Sequence, residues 1–410
     1  MQWMQRSSES ELECVREGGA GHDVAAPRGR ARGRLRRCLL AIVASLALLG
    51  PATVPASAQA VAPAAGTRLD TSLPATFARL SEPSGYFDTD NLISNESSYL
   101  HVITRLRELG VRGGAYVGVG PDQNYSYIAA IRPTVAFLID VRRDNALQHL
   151  MYRALFARSR NRMEFLARLV GRRPPRDGEA WTTRPIADIV AWIDRAPADA
   201  SFADAEQRAI VEEAARAGIP LSAADRATIS RFHATFVRDG LALRFTSFGR
   251  PPRANYPTLR QLILERDLDG EQSGYLANED DFRFVKSLHA RDRIIPLVGN
   301  LGGAAAFPAL SRELAARGEK LSALYTSNVE YYLWGDGSFA TFARTVSRMP
   351  RQANGVIIRS YFGRQFGDRH PLAVDGYASV QLLHPLNDFA RREAAGEWRS
   401  YLDLVTLGAR

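Results

Sequence analysis

Cysteine is scarce in this sequence. The 410 residues contain two, Cys14 and Cys38, and both lie near the amino terminus. We expect this terminus to be removed on export, which leaves a chain without cysteine. Such a chain has no disulfide, no thiolate nucleophile and no cysteine-ligated metal. These three chemistries are therefore excluded from the expected mature protein.

Signature motifs of metal and serine catalysis are also missing. None of the seven histidines forms H-x-x-x-H or H-E-x-x-H,. We find no G-x-S-x-G nucleophile elbow, no P-loop and no EF-hand loop. The sequence predicts no metal site, and His149 and His233 are interpreted as packing or surface residues of helices.

Charge and composition exclude little else. The net charge is +9, but no long basic run occurs in the body of the chain, so we expect no nucleic-acid partner,. Hydrophobic residues make up 46% of the chain, which suffices for a sizeable core,. The length predicts two domains or one enlarged domain, at roughly 100–200 residues per domain.

The amino-terminal residues have the order of a secretory signal. The basic run Arg28–Arg37 precedes the apolar run Cys38–Leu49, and Ala56-Ser57-Ala58 supplies small residues before Gln59,. The apolar run is shorter than the 20 or so residues that a membrane-spanning helix needs. We expect cleavage near Gln59 and a mature chain without a transmembrane segment; an uncleaved anchor or a disordered tail is the alternative.

The export route has a candidate signal of its own. Arg36-Arg37-Cys38-Leu39-Leu40 resembles the twin-arginine motif, which directs the export of folded proteins,. An ordinary basic region that happens to contain two arginines is the alternative. The expected location is periplasmic or secreted by either route.

Beyond the leader, apolar runs typical of buried strands alternate with helical patterns. The predicted strands are 114–120, 135–141, 294–298, 321–326, 355–362 and 377–384,. Residues 159–285 interrupt the alternation with amphipathic helices at 186–194, 203–217, 223–238 and 257–266, and with one candidate strand at 241–248. Alternating strands and helices predict an α/β protein with a mainly parallel sheet, right-handed crossovers and a helical insertion.

These patterns divide the chain into five segments. They are a leader with the signal peptide (1–58), a flexible linker (59–80), the first half of the α/β domain (81–158), the mainly helical insertion (159–285) and the second half of the α/β domain (286–410).

Glycines and an acid follow the first two strands of this order. Gly118 and Gly120 end the first strand, where glycine permits a tight turn and close approach of a ligand,. Asp140 ends the second strand about twenty positions later, the spacing at which an acid reaches the ribose of a nucleotide-like cofactor,. An ordinary strand-to-helix turn and a helix N-cap are the alternative interpretations of these residues.

The pattern resembles class I S-adenosylmethionine-dependent methyltransferases. Their first strand typically ends acid-x-Gly-x-Gly-x-Gly, whereas this chain has Tyr116-Val-Gly118-Val-Gly120-Pro-Asp122. The two central glycines match, Tyr116 stands at the acid and Asp122 at the third glycine. The resemblance implies a Rossmann-like, doubly wound fold and S-adenosylmethionine as cofactor.

The resemblance also implies roles for residues after the other strands. Asp140 matches the acid that holds the ribose, and Asn300 sits where a residue often contacts the adenine. Asn328 and Glu330 sit where that family often has catalytic or substrate-binding residues. The Asn-Pro-Pro-Tyr motif of enzymes that methylate amino groups of nucleic acids is absent.

Two further groups of residues are candidates for the site. The segment before the first helix is dense in polar groups: Asp88, Asp90, Asn91, Asn95 and Glu96. Aromatic residues flank the end of the fourth strand: Tyr325, Tyr331, Tyr332 and Trp334. The alternatives are turn and cap chemistry for the first group and core packing for the second.

Three functions remain open from the sequence. The first is an S-adenosylmethionine-dependent transferase whose acceptor is not identified. The second is a non-catalytic protein that binds a ligand or partner on the same fold, which the export signal favours because S-adenosylmethionine is made in the cytoplasm. The third is a nicotinamide-dependent oxidoreductase, which ranks last because Gln123 stands where G-x-G-x-x-G requires glycine,. The sequence does not predict an oligomeric state.

Overall fold

The structure is a computed structural model that describes residues 69–89, 91–363 and 369–409. The predicted signal peptide, the twin-arginine-like motif and both cysteines lie outside the described residues, as does Asp90. The described residues form one compact unit.

The described residues form a mixed α/β structure around one six-stranded sheet. The strands are β1 (Ala115–Gly118), β2 (Val135–Asp140), β3 (Ile294–Val298), β4 (Leu321–Ser327), β5 (Arg351–Tyr361) and β6 (Val380–Pro385). Their order across the sheet is β3-β2-β1-β4-β5-β6, and all neighbours are parallel except β5 and β6. The expectation of a mainly parallel sheet is therefore confirmed.

Helices surround this sheet and make up most of the remaining regular structure. They are α1 (Leu73–Leu80), α2 (Ile103–Glu108), α3 (Gln123–Ile131), α4 (Arg143–Arg158), α5 (Arg162–Leu169), α6 (Ile186–Arg195), α7 (Ala200–Ala215), α8 (Ala223–Asp239), α9 (Leu259–Ile263), α10 (Glu279–Ala290), α11 (Ala306–Ala316), α12 (Val329–Gly335), α13 (Phe339–Arg348), α14 (Leu386–Ala394) and α15 (Tyr401–Thr406). Short 3₁₀ helices occupy Gly178–Trp181 and Gly240–Ala242. None of the described helices is long and apolar enough to cross a membrane.

Burial on both faces explains why the strands are continuous apolar runs. Every residue of β1 and β3 is buried, and so is every residue of β2 except Asp140 at its end. Parallel strands covered by helices on both faces have this pattern. β3 has the predicted bounds, whereas β5 begins four residues earlier than predicted and β6 three residues later.

The stretch between β2 and β3 adds helices to the fold and no strand to the sheet. Residues 141–293 are all described, and α4 to α10 lie within them. The candidate strand 241–248 contributes only an isolated bridge between Arg244 and Thr258. Leu241, Leu243 and Phe245 alternate inward as a strand would, but the bridge pairs this segment with only one residue. The insertion and the sheet share one continuous hydrophobic core.

Two predicted boundaries differ from the structure. The predicted linker 59–80 includes α1, whose Leu73, Phe77 and Leu80 are buried at helical spacing where α1 packs on β3 and α11,. Residues 73–80 are therefore part of the domain. The predicted closing helix 386–404 is divided into α14 and α15 at Gly396, whose φ of +66° is left-handed and ends a helix,.

Candidate functional site

The predicted site residues lie along one edge of the sheet. Gly118 ends β1, Asp140 ends β2, and Asn300 follows β3 by two residues. Asn328 comes directly after β4. Because β1 to β4 are parallel, these residues share the carboxyl edge of the sheet, the edge at which open α/β sheets bind ligands,.

The loop after β1 is held by a side chain that the sequence analysis did not single out. The Asn124 Nδ2 donates to the carbonyl oxygens of Val119, Gly120 and Pro121 at 2.8, 3.2 and 2.7 Å, and its Oδ1 accepts from the Tyr116 hydroxyl at 2.8 Å. A Cβ on Gly118 would lie 2.0 Å from that Oδ1. The glycine at 118 therefore makes room for Asn124.

A buried histidine of α4 also forms a hydrogen bond to the loop after β1. His149 Nε2 lies 3.0 Å from the Gly120 carbonyl oxygen, and Nδ1 lies 2.8 Å from the Tyr125 hydroxyl. Burial lowers the pKa of His149 to about 4, so the ring is neutral near pH 7,. Because the Gly120 carbonyl can only accept, the neutral ring must carry its proton on Nε2. Nε2–H then donates to Gly120, and Nδ1 accepts from the Tyr125 hydroxyl. The interpretation of His149 as a packing residue agrees with this placement.

Asp140 is engaged by a neighbouring arginine. Its Oδ1 lies 3.0 Å from Arg142 Nε and its Oδ2 lies 2.9 Å from Arg142 Nη2, a bidentate pair,. The Arg142 Nη1 also donates to the Thr89 carbonyl oxygen at 2.6 Å. Both carboxylate oxygens that would accept from ribose hydroxyls are thus already hydrogen-bonded.

Polar groups of Asn300 are also hydrogen-bonded to other groups of the protein. Its Oδ1 accepts from the Gly302 amide at 2.8 Å, and its own amide donates to Glu82 Oε1 at 2.6 Å. The Glu82 Oε2 accepts from the amide of Ala306, the first residue of α11, at 3.1 Å. A carboxylate of the chain itself therefore lies at the positive end of this helix, where a ligand anion would bind.

Glu330 forms a buried ion pair. Its Oε2 and Oε1 lie 2.7 and 3.0 Å from Nε and Nη2 of Arg359, and both side chains are 1% exposed. The remaining Arg359 Nη1 donates to the Leu404 carbonyl oxygen at 3.0 Å, which ties β5 to α15. Glu330 thus stabilises the packing beneath the edge, where both of its carboxylate oxygens are engaged by Arg359.

The other candidates near the end of β4 separate into two environments. Tyr325 is fully buried, whereas Tyr332 is 44% exposed and packs edge-on against Phe87 at 5.2 Å. Trp334 packs at a tilt against Phe339 of α13, with ring centroids 4.4 Å apart. Tyr331 contacts Tyr332 at 5.4 Å, and Asn328 begins α12 beside them. The aromatic residues therefore do not form a single binding surface.

Glu96 reaches the end of β4 from the polar segment before α2. Its carboxylate is buried and accepts from Tyr325 Oη at 2.7 Å, from Gln381 Nε2 at 2.8 Å and from the Ser327 hydroxyl. Within the described residues no basic side chain forms an ion pair with it. Ser327 has a φ of +52°, a left-handed conformation that is strained for a residue with a Cβ,.

The segment that carries Glu96 crosses the carboxyl edge from β3 to β4. We call residues 81–89 and 91–96 the edge strap. The Glu82 amide donates to the last residue of β3 at 3.0 Å, and the Gly85 amide donates to the carbonyl oxygen of Val141, just after β2, at 2.8 Å. The Asn91 Nδ2 lies 3.5 Å from the place of a Cβ on Gly120, and Glu96 reaches β4. The edge strap thus covers the ends of β3, β2, β1 and β4 in turn.

The remaining candidates of the edge strap have different roles. Asp88 forms an ion pair with Arg250 of the insertion, and Asn95 is half-buried. The side-chain Nε2 of Gln148 on α4 donates to the Leu92 carbonyl oxygen at 2.7 Å. This hydrogen bond attaches the edge strap to α4. The polar side chains of this segment therefore form contacts with other parts of the same chain along the edge.

A small cavity lies beside the strap, at the start of α3. Its polar lining includes Asp122 and Gln123, and its apolar lining comes from the insertion: Leu259, Leu262, Ile263 and Leu276. The space open to the centre of a water molecule is about 20 Å³. Burial raises the pKa of Asp122 to about 6, although the Tyr275 hydroxyl donates to its Oδ2 at 3.0 Å,.

The chain belongs to the family described as a domain of unknown function, DUF7790. The family model matches residues 91–177 and 191–400, which is more than half of the chain. The matched ranges include the loop after β1, Asp140, Asn300, Asn328 and Glu96. No curated protein matches the chain.

Proposed function

We propose that this protein is a Rossmann-like, doubly wound domain that binds a small ligand or a partner and does not catalyse a reaction. The observation that carries the proposal is the edge strap. Ligands of open α/β sheets bind outside the carboxyl ends of the strands, and this protein covers four of those ends with its own chain,.

The packing of helices supports the doubly wound arrangement. The strand order is 3-2-1-4-5-6, and the chain reverses direction across the sheet between β3 and β4,. On one side of that reversal α10 packs on α3 and α4, and on the other α13 packs on α11 and α14. Right-handed crossovers would put these two groups of helices on opposite faces of the sheet.

The residues that would bind S-adenosylmethionine at the carboxyl edge are engaged by groups of the protein itself in this conformation. The ribose acid Asp140 is paired with Arg142, the loop residue Gly118 is packed against Asn124, and Glu330 is paired with Arg359. Asp140 and Glu330 would have to share or lose an arginine partner before they could take the roles that the resemblance implies. We therefore derive no transfer step for this site.

An S-adenosylmethionine-dependent transferase is the second candidate. The observation that favours it is the amide of Asn145 on α4, which is fully buried and lacks a hydrogen-bond partner within the described part of the chain. A buried polar group without a partner signals a missing water or ligand group. Gly120, with a φ of +81°, also has the left-handed conformation that glycine adopts readily in a tight turn,.

A ligand panel separates the two candidates. We expect that S-adenosylmethionine, S-adenosylhomocysteine and a nicotinamide dinucleotide at millimolar concentration leave the melting temperature of the mature chain unchanged, because the strap fills the edge. Titration calorimetry on the same samples checks for weak binding. Saturable binding of S-adenosylmethionine that falls about ten-fold or more in Asp140→Ala, a loss expected for a charged acceptor of ribose hydroxyls, would establish the transferase candidate instead. Gly120→Val is the steric control for that outcome.

We also propose that the protein is exported. The support is the order of basic run, short apolar run and Ala56-Ser57-Ala58,. The periplasmic or secreted protein should begin near Gln59 or Val61 by amino-terminal sequencing. Replacement of Arg36 and Arg37 by lysine should stop export only if the twin-arginine route is used. Full-length protein confined to the cytosol contradicts the proposal.

A further inference from the structure

We propose that the first half of the edge strap, residues 81–88, is a lid that opens independently of the second half, residues 91–96. The inference deepens the proposed function, on which it rests, by giving the covered edge a regulated entrance. The lid lies over the ends of β3 and β2, whereas the second half lies over the ends of β1 and β4. Opening of the lid therefore exposes the ends of β2 and β3, where the ligand or partner enters.

The two halves of the edge strap differ in burial. Every residue of 81–88 is at least partly exposed, and residues 83–86 are fully on the surface. In the second half, Leu92 and Ile93 are buried in the hydrophobic core. No described residue between Leu80 and Leu92 belongs to that core or packs against it. Segments with few buried apolar contacts open at a lower free energy than the whole fold unfolds, so the lid can open while the second half stays in place.

The lid is attached to the domain mainly by polar groups. Four backbone amides, on three different segments of the domain, donate to side-chain oxygens of the lid. These pairs are Val298 with Ser81, Asn300 and Ala306 with Glu82, and Arg143 with Ser84, at 3.1, 2.6, 3.1 and 2.9 Å. Water can take the place of these hydroxyl and carboxylate acceptors when the lid lifts, so opening exchanges the hydrogen bonds instead of leaving the amides without partners.

Both ends of the lid adjoin buried residues. Leu80 at the end of α1 is buried, and so is Thr89, whose carbonyl oxygen accepts from Arg142 Nη1 at 2.6 Å. Within the lid, Asp88 pairs with Arg250, whose side chain is 52% exposed, and such exposed pairs contribute little stability,. The lid is therefore a surface loop of eight residues between two fixed points.

Gly85 brings the lid closest to the sheet. A Cβ at this position would lie 2.4 Å from Cγ2 of Val141, the residue that follows β2. The Gly85 amide can donate to the Val141 carbonyl oxygen at 2.8 Å because no side chain intervenes. A side chain at position 85 should therefore lift the lid.

Amide hydrogen exchange of the ligand-free mature protein, resolved by NMR, tests the lid. We call the amides of Asn300, Ala306 and Arg143 the lid-covered amides. They should exchange together with the Gly85 amide, because a single opening frees them all. Their protection factors should be at least about 100-fold lower than those of β2. Exchange of these amides only through global unfolding, at the rate of β2, would overturn the proposal.

Variants at the closest contact assign the exchange to the lid. Gly85→Ala should speed exchange of the lid-covered amides at least about ten-fold, because its Cβ clashes with Val141,. Val141→Ala removes the clashing Cγ2 and should restore slow exchange in the double variant. Gly335→Ala is the matched control, at an exposed glycine with no atom within 4 Å of its Cβ position, and should leave these amides unchanged. Equal exchange in Gly85→Ala and Gly335→Ala would contradict the proposal.

The outcomes distinguish the lid from the function on which it rests. The exchange experiment uses ligand-free protein, so its result does not depend on whether a compound of the ligand panel binds. If the lid-covered amides exchange only through global unfolding, the lid is wrong, and the ligand panel still decides the non-catalytic proposal. If S-adenosylmethionine binds through Asp140 and exchange is local, the non-catalytic proposal is wrong and the lid stands.

Discussion

Replacing Arg359 with alanine is expected to lower the free energy of unfolding by about 3–5 kcal/mol. The change leaves the Glu330 carboxylate buried at 1% exposure without its cation, and it removes the donor to the Leu404 carbonyl oxygen. An uncompensated buried charge costs several kcal/mol, because neither water nor another described basic side chain replaces the guanidinium. Urea denaturation of the mature protein at neutral pH measures the loss.

Two controls identify the cause of that loss. The double variant Arg359→Met with Glu330→Leu removes both charges at similar volume and should recover most of the stability. Arg391→Ala removes an exposed arginine from its surface pairs with Asp388 and Glu397 and should leave the stability essentially unchanged,. If Arg359→Ala were no more harmful than Arg391→Ala, Glu330 would not depend on this pair, and its assignment to a structural role would be wrong.

Replacing Asn124 with alanine should cost at least about 3 kcal/mol of stability. Three carbonyl oxygens of the loop after β1 lose their shared donor, and the Tyr116 hydroxyl loses its acceptor, all in a buried environment. The loop should also lose its conformation, since these hydrogen bonds fix it from Val119 to Pro121. Thermal and urea unfolding measure the stability, and amide hydrogen exchange of the loop measures its local opening.

Asn354 offers a matched control for this prediction. Its Nδ2 also donates to two carbonyl oxygens, those of Leu109 and Gly110 at 3.1 and 2.8 Å, but the residue is exposed. Water replaces the lost donor there, so Asn354→Ala should cost about 1 kcal/mol or less. Similar losses in the two variants would show that burial of the loop carbonyls is not what makes Asn124 important.

Local sequence patterns determined the architecture of this protein. The apolar runs 294–298 and 135–141 predict β3 and β2 almost to the residue, because strands buried on both faces need uninterrupted apolar side chains,. The order of strands and helices then predicts a parallel sheet, which brings Gly118, Asp140, Asn300 and Asn328 to one edge,. Turns and helix periodicity depend on residues that are close together in the chain, so they can be predicted from the sequence alone.

The same patterns were misleading where a segment needs a partner to complete it. Residues 241–248 alternate inward and outward as a strand does, yet Arg244 is the one residue of that segment that forms a bridge. α1 has apolar residues at helical spacing, but the predicted flexible linker 59–80 includes it. In both cases the tertiary neighbours decided the outcome: α11 and β3 give α1 a surface to bury, and 241–248 lacks a neighbouring strand with which to form a ladder.

Only the tertiary structure decided what the residues at the edge do. The sequence shows that Asp140 and Glu330 follow their strands. It does not show that Arg142 and Arg359 pair with their carboxylates. Nor does it reveal that Glu82 and Glu96 reach β3 and β4 across more than 200 positions of the chain. A carboxylate has the same residue type whether it faces a ligand or an arginine of its own chain. Its role depends on which groups the fold brings within hydrogen-bonding distance, and that long-range geometry has no local signature in the sequence.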